Sequence, residues 1–152
     1  MSVLKAHRSE SKAEFVSTAN QIYKQTINFL SRISARYSRL IASDVASLAS
    51  EVLDNAEKAN NIYPSDDVRK ELRERHLLEA RASLSALDIH LAQCYEIMLT
   101  NPEGCFTKSN DTPIKTSDAK RKLENMAQNL GELINAEDKL LTNVLKSDKQ
   151  RK

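Results

Sequence analysis

Turn-forming residues are scarce in this chain, with 2 glycines and 3 prolines among 152 residues. A sheet protein of that length needs such residues at each of its many reversals, so the scarcity argues against one. Tryptophan is missing and aromatic residues make up only 5%. Cysteine occurs twice, at Cys94 and Cys105, too few for the disulfide framework of a small secreted domain. Cys94 falls on an apolar helical stripe, where a thiol serves as a small core residue. No run reaches the roughly 20 apolar residues of a membrane span. The first residues, Met1-Ser-Val-Leu-Lys-Ala-His-Arg8, hold no apolar leader segment. The expectation is a cytoplasmic protein.

Catalytic signatures are also missing. There is no glycine-rich phosphate loop, GxSxG, CxxC or HExxH. Helical bundles that hold two metal ions use inward Glu-x-x-His pairs, and this chain has none. His7, His76 and His90 are scattered and read as surface or boundary residues. No enzyme activity, cofactor or metal is expected.

What is present is helix-forming. Ala, Leu, Glu, Lys, Arg and Ser dominate. A chain of this length makes one domain and can bury a core without staples. Apolar residues recur at steps of three and four in four segments, which predicts an up-down antiparallel four-helix bundle. The bundle is expected over residues 11–146, between a flexible tail at 1–10 and a basic tail at 147–152.

The first segment, about Ser11 to Ser34, aligns Phe15, Ala19, Ile22, Thr26, Phe29/Leu30 and Ile33. Ser11 with Glu14 has the spacing of a capping box. The second, about Arg36 to Asn60, aligns Ile41, Val45, Leu48, Val52, Ala56 and Ala59. Pro64 forces a break before the third, about Asp66 to Thr100. There Leu77, Ala80, Leu84, Leu87, Leu91, Cys94 and Met98 repeat as three heptads. Its charge-dense first turns, Arg69 to Arg75, read as a solvated extension beyond the core. Residues 101–116 form the one long loop. The fourth segment, about Ser117 to Lys146, aligns Leu123, Met126, Leu130, Leu133, Glu137, Leu140 and Val144. Glu137, the one acid on an apolar stripe, is expected to pair with a basic residue or to lie at a subunit boundary.

The net charge of +2 is unevenly spread. Residues 1–40 carry seven Lys or Arg against two acids, and 104–122 and 139–152 carry +3 and +4. Arg32, Arg36 and Arg39 follow each other at steps of four and three, with Tyr37 among them. If helical, they project from one side. Arginine forks bind phosphate oxygens, and an aromatic ring can stack on an unpaired base. Lys120-Arg121-Lys122 is a second basic run. The other reading of both is a solvated basic surface. Tyr23 and Ile27, with Ile134 and Leu141, lie off the main stripes and mark either a subunit contact or a wider core face.

The stretch Ile33 to Asn55, followed by Ala59-Asn-Asn-Ile-Tyr-Pro64, resembles a family of small four-helix-bundle proteins. That family includes the accessory variability determinant (Avd) of diversity-generating retroelements. The same superfamily includes proteins encoded by intervening sequences in large-subunit ribosomal RNA genes. Where the family has a Phe-Pro-Lys turn, this chain has Ile33-Ser34-Ala35; the apolar pacing of Ile41, Val45 and Val52 and the late Asn55 match. Ser11 to Val16 also resembles the start of the family's first helix. The resemblance implies a ring-shaped homopentamer that binds a reverse transcriptase and its template RNA. It implies a non-catalytic part in making mutagenic cDNA, with Arg32, Arg36 and Arg39 standing in for the family lysine. The alternatives are an interaction scaffold with no nucleic-acid role, or a bundle-core metal enzyme.

Overall fold

The structure, a computed structural model, describes residues 13–106 and 114–150. The expected N-terminal tail, Ser11 of the capping box, the middle of the long loop, Arg151 and Lys152 lie outside the described residues. The described chain forms four long helices: α1 (Glu14–Leu30), α2 (Ala35–Asn60), α3 (Asp67–Met98) and α4 (Thr116–Lys149). A single 3-10 turn, Glu103–Cys105, follows α3. Each helix packs on the next, and α4 closes the cycle against α1. This is the up-down four-helix bundle that the apolar periodicity predicts.

Breaks in backbone hydrogen bonding set the helix ends. Ile33 N–H turns back to the Leu30 carbonyl, and Ser34 then takes an extended ψ of 151° before α2 begins. The segment expected to reach Ser34 therefore ends at Leu30 as α1. Asp66 caps α3 by accepting from the Arg69 backbone N–H at 2.8 Å. That bond, aided by the Arg69 side chain, holds the Asp66 carboxyl below its ordinary range.

The core follows the expected lines in α1 and α3. Phe15, Ala19, Ile22, Phe29 and Ile33 are buried, and so are all seven heptad positions of α3. Burying one such leucine contributes about 1.5–3 kcal/mol, so these rows supply most of the driving force. Two helices are rotated from the expectation. In α2, Ala49 takes the inward place expected for Leu48, which is half-buried along with Ile41. In α4 the buried line is Ala119, Leu123, Leu130, Ile134, Glu137, Leu141 and Leu145. Met126, Leu133, Leu140 and Val144 flank it, half-buried. The buried line thus combines Leu123, Leu130 and Glu137 of the expected line with Ile134 and Leu141, which had been read as lying off it. A three-four alternation on one helix fits two adjacent faces, and only the neighbours choose between them.

Two polar features correct the sequence reading. Glu137 is 0% exposed, and neither carboxylate oxygen has a hydrogen-bond partner among the described residues. It does not meet the expected basic residue, and burial pushes its pKa up to about 8. The charge-dense start of α3 is exposed at Arg69, Glu71 and Arg75, as expected, but Arg73 ties it to the bundle. Arg73 Nε donates to Asp148 at 2.6 Å, and its Nη1 donates to the carbonyls of Ala59 and Ile62 at 2.8 and 3.2 Å. One guanidinium thus joins the last turn of α2, the first turns of α3 and the end of α4. Asp148 is held this way, so α4 continues to Lys149 where a tail was expected from residue 147.

Candidate nucleic-acid interface at one pole

The α1–α2 turn, the end of α3 with its 3-10 turn, and the start of α4 meet at one pole of the bundle. Phe106 lies at the centre. The Arg32 guanidinium sits 5.1 Å from its ring centroid, and Lys122 Nζ sits 5.4 Å from the same ring. Each cation–π contact contributes about 0.5–1 kcal/mol at an exposed site. Both cations add to the positive potential around the ring, which favours an anion beside it. Arg32 Nε is buried and has no hydrogen-bond partner among the described residues.

Arg36 lies 5.9 Å from the ring of its neighbour Tyr37. Both line a cleft of about 250 Å³ with Ile33, Ser34, Asn101 and Cys105. The first turn of α2 holds no acid, and Ser34 makes no side-chain cap bond. The positive end of the helix dipole therefore adds to the potential of Arg32 and Arg36.

Two acids temper the pole. Thr116 Oγ1 donates to Glu103, which pins the 3-10 turn to the start of α4. That bond is the main reason the Glu103 carboxyl lies below its ordinary range, and Lys120 contributes less. Asp118 pairs with Arg121 at 2.8 Å. Burial pushes the Cys105 thiol up, and nearby Arg32 opposes this only in part. Both cysteines are free thiols.

The structure thus joins two basic runs that are far apart in sequence. Arg32 and Lys122 meet at Phe106, with Arg36 and Tyr37 beside them. The three arginines do not share one helix face, because Arg32 lies in the turn before α2 begins. Arg39 is exposed further along α2, and Arg121 and Lys120 are exposed on α4. Phe106 was not among the sequence candidates. Its only signal was an aromatic residue, in an aromatic-poor chain, within a loop that lies between two basic runs.

The four candidate contact residues separate. Ile134 and Leu141 are buried in the chain's own core, so the wider-face reading holds for them. Tyr23 is half-buried, and Ile27 is 42% exposed. Asn55, matched to the family's late asparagine, donates to the Glu51 carbonyl and meets His76 Nδ1 at 3.0 Å. Among the described residues, no group of three or more His, Cys, Asp or Glu could hold a metal ion. Among them, too, no helix is long and apolar enough to cross a membrane.

The fold and this pole define a class, an all-helical four-helix bundle with a basic end. No protein family, curated protein or solved structure matches the chain.

Proposed function

We propose that this protein is a non-catalytic, RNA-binding accessory factor of the Avd kind, acting through the basic pole. The observation that carries this reading is the convergence of Arg32 and Lys122 on Phe106 beside Arg36 and Tyr37. Guanidinium and ammonium groups set around half-buried aromatic rings suit phosphates and, at the rings' open edges, unpaired bases. On the resemblance to Avd, the RNA is the template of a reverse transcriptase, and the polymerase is the protein partner. A closed homopentameric ring belongs to the same reading, and it would repeat the basic pole around one axis.

The test is a titration of a structured RNA at several salt concentrations. Wild-type affinity should fall steeply as salt rises, because phosphate contacts release counterions. The combined variant Arg32→Ala/Arg36→Ala/Arg39→Ala should bind roughly 10- to 100-fold more weakly at low salt, with a salt slope shallower by about 2. Its helical circular dichroism should match the wild type. Unchanged RNA affinity in this variant would remove the pole from consideration. The competing reading is a protein-interaction scaffold without RNA, and the exposed apolar residues of α3 favour it.

A further inference from the structure

Helix α3 carries two heptad rows, and only one is used by the bundle. The inward row runs from Leu77 to Met98. The outward row is Leu78, Ala82, Ser85, Ile89 and Ala92, spaced four, three, four and three. All five are exposed; Leu78 is 47% and Ile89 60% exposed. That spacing averages 3.5 residues, the period of a helix–helix seam. Among the described residues, four of the seven exposed large apolar residues lie on this one helix: Val68, Leu72, Leu78 and Ile89.

The outward row has a further property: it is complementary to itself when read backwards. Taken from the other end it is Ala92, Ile89, Ser85, Ala82 and Leu78. Laid antiparallel about Ser85, Leu78 meets the partner's Ala92, and Ile89 meets the partner's Ala82. Large side chains thus fall on small ones on either side of the central Ser85 pair, which is how knobs fill holes. The hole at Ala92 is real. A slot of about 180 Å³ opens there between α3 and α4, walled by Asp88, Ala92, Tyr95 and Gly131 with Phe29 at its floor. A Cβ built on Gly131 meets nothing within 4 Å, so the wall is open at that point.

Charges follow the same register. Antiparallel pairing about Ser85 brings Arg75 near the partner's Glu96 and Arg81 near the partner's Asp88. Within one chain, Arg75, Glu79, Asp88, His90 and Glu96 form no ion pair among the described residues. Arg81 makes only a long 3.3 Å contact to Asp138, both partly exposed. Glu74 comes level with the partner's Glu96, a like charge that the neighbouring Arg75 offsets.

We propose that the outward row of α3 binds the same row of a second copy of this chain, antiparallel about a two-fold axis at Ser85. The contact is isologous, so each apolar and charged match occurs twice. It does not depend on RNA binding. A ring that also used it would pair with a second ring, so the total subunit number is even.

The test combines solution mass, charge reversal and cross-linking. The wild type should show an even subunit number by light scattering at the highest soluble concentration. Arg75→Glu should weaken self-association at least about 10-fold, and adding Glu96→Arg should restore it, since the pair is re-formed across the two-fold. Ser85→Cys should oxidise to a band at twice the 17.1 kDa chain mass, because facing seam positions lie within disulfide reach. Ser47→Cys, exposed on α2, is the control and should stay single. Leu78→Glu should abolish the association while circular dichroism stays helical. A monomer, an odd-numbered assembly, a double reversal that fails to recover, or cross-linking at residue 85 no faster than at 47 would each overturn the α3 contact. An odd number would leave the ring and RNA readings standing.

Discussion

At the scale of single residues, Glu137 is the most consequential side chain in the core. Its carboxyl is fully enclosed and unpartnered among the described residues, and its pKa is raised from 4.5 to about 8. The folded chain therefore holds a proton that the unfolded chain releases across that interval. Stability is greatest below pH 4.5, as far as this group is concerned, and falls as pH rises toward about 8. Each pH unit within that window costs about 1.4 kcal/mol, so the loss at neutral pH is roughly 3 kcal/mol. Glu137→Gln keeps the shape and cannot ionise. It should match the wild type near pH 4 and exceed it by roughly 4–5 kcal/mol near pH 8.5. Urea unfolding at both pH values would check this; equal pH slopes in the two proteins would refute it. Thr26, another buried polar residue with an unpartnered hydroxyl, lies on α1, which packs against α4. The interior thus holds both Glu137 and Thr26 with no partner among the described residues.

At the scale of elements, helix ends carry the connections. Arg73 satisfies two carbonyls near the end of α2 and pairs with Asp148 near the end of α4. Both partners of that ion pair are largely covered, at 11% and 15% side-chain exposure. Removing one member of a covered pair leaves the other unpaired, so Arg73→Ala should destabilise by about 2–4 kcal/mol. Hydrogen exchange should also quicken first in the last two turns of α4. Full protection of those turns in Arg73→Ala would show that α4 holds its own end. By contrast, the exposed pairs Arg69–Asp66 and Arg121–Asp118 lie three residues apart on one helix. Such pairs contribute at most about 0.5 kcal/mol.

At the scale of the whole molecule, charge is segregated along the bundle axis. Arg32, Arg36 and Lys122 sit at the pole with Phe106, whereas Lys146 and Lys149 end α4 at the opposite pole. Within a Debye length of about 8 Å at physiological salt, the two ends act separately. Lys146→Ala/Lys149→Ala should therefore cost RNA affinity much less than Arg32→Ala/Arg36→Ala, which removes the same charge. A filter-binding comparison at moderate salt would check this, and equal losses would mean that binding follows net charge alone. The α3 row runs along the outer side between the poles, so self-association there leaves the basic pole open.

Much of this was legible in the sequence because it depends on local rules. Helix formation follows from composition and from the lack of Gly and Pro. The inward rows of α1 and α3 follow from period, and the break at Pro64 from backbone sterics. Arg32, Arg36, Tyr37 and Lys122 could be picked out as basic or aromatic groups near helix ends. What the sequence left open is rotation and convergence. Whether α4 buries Leu133 and Leu140 or Ile134 and Leu141 depends on neighbouring helices, because both rows satisfy the same period. Arg32 and Lys122 are 90 positions apart in the chain. Only closure of the bundle brings them to one ring, since contact across such a separation is set by packing and not by any local propensity.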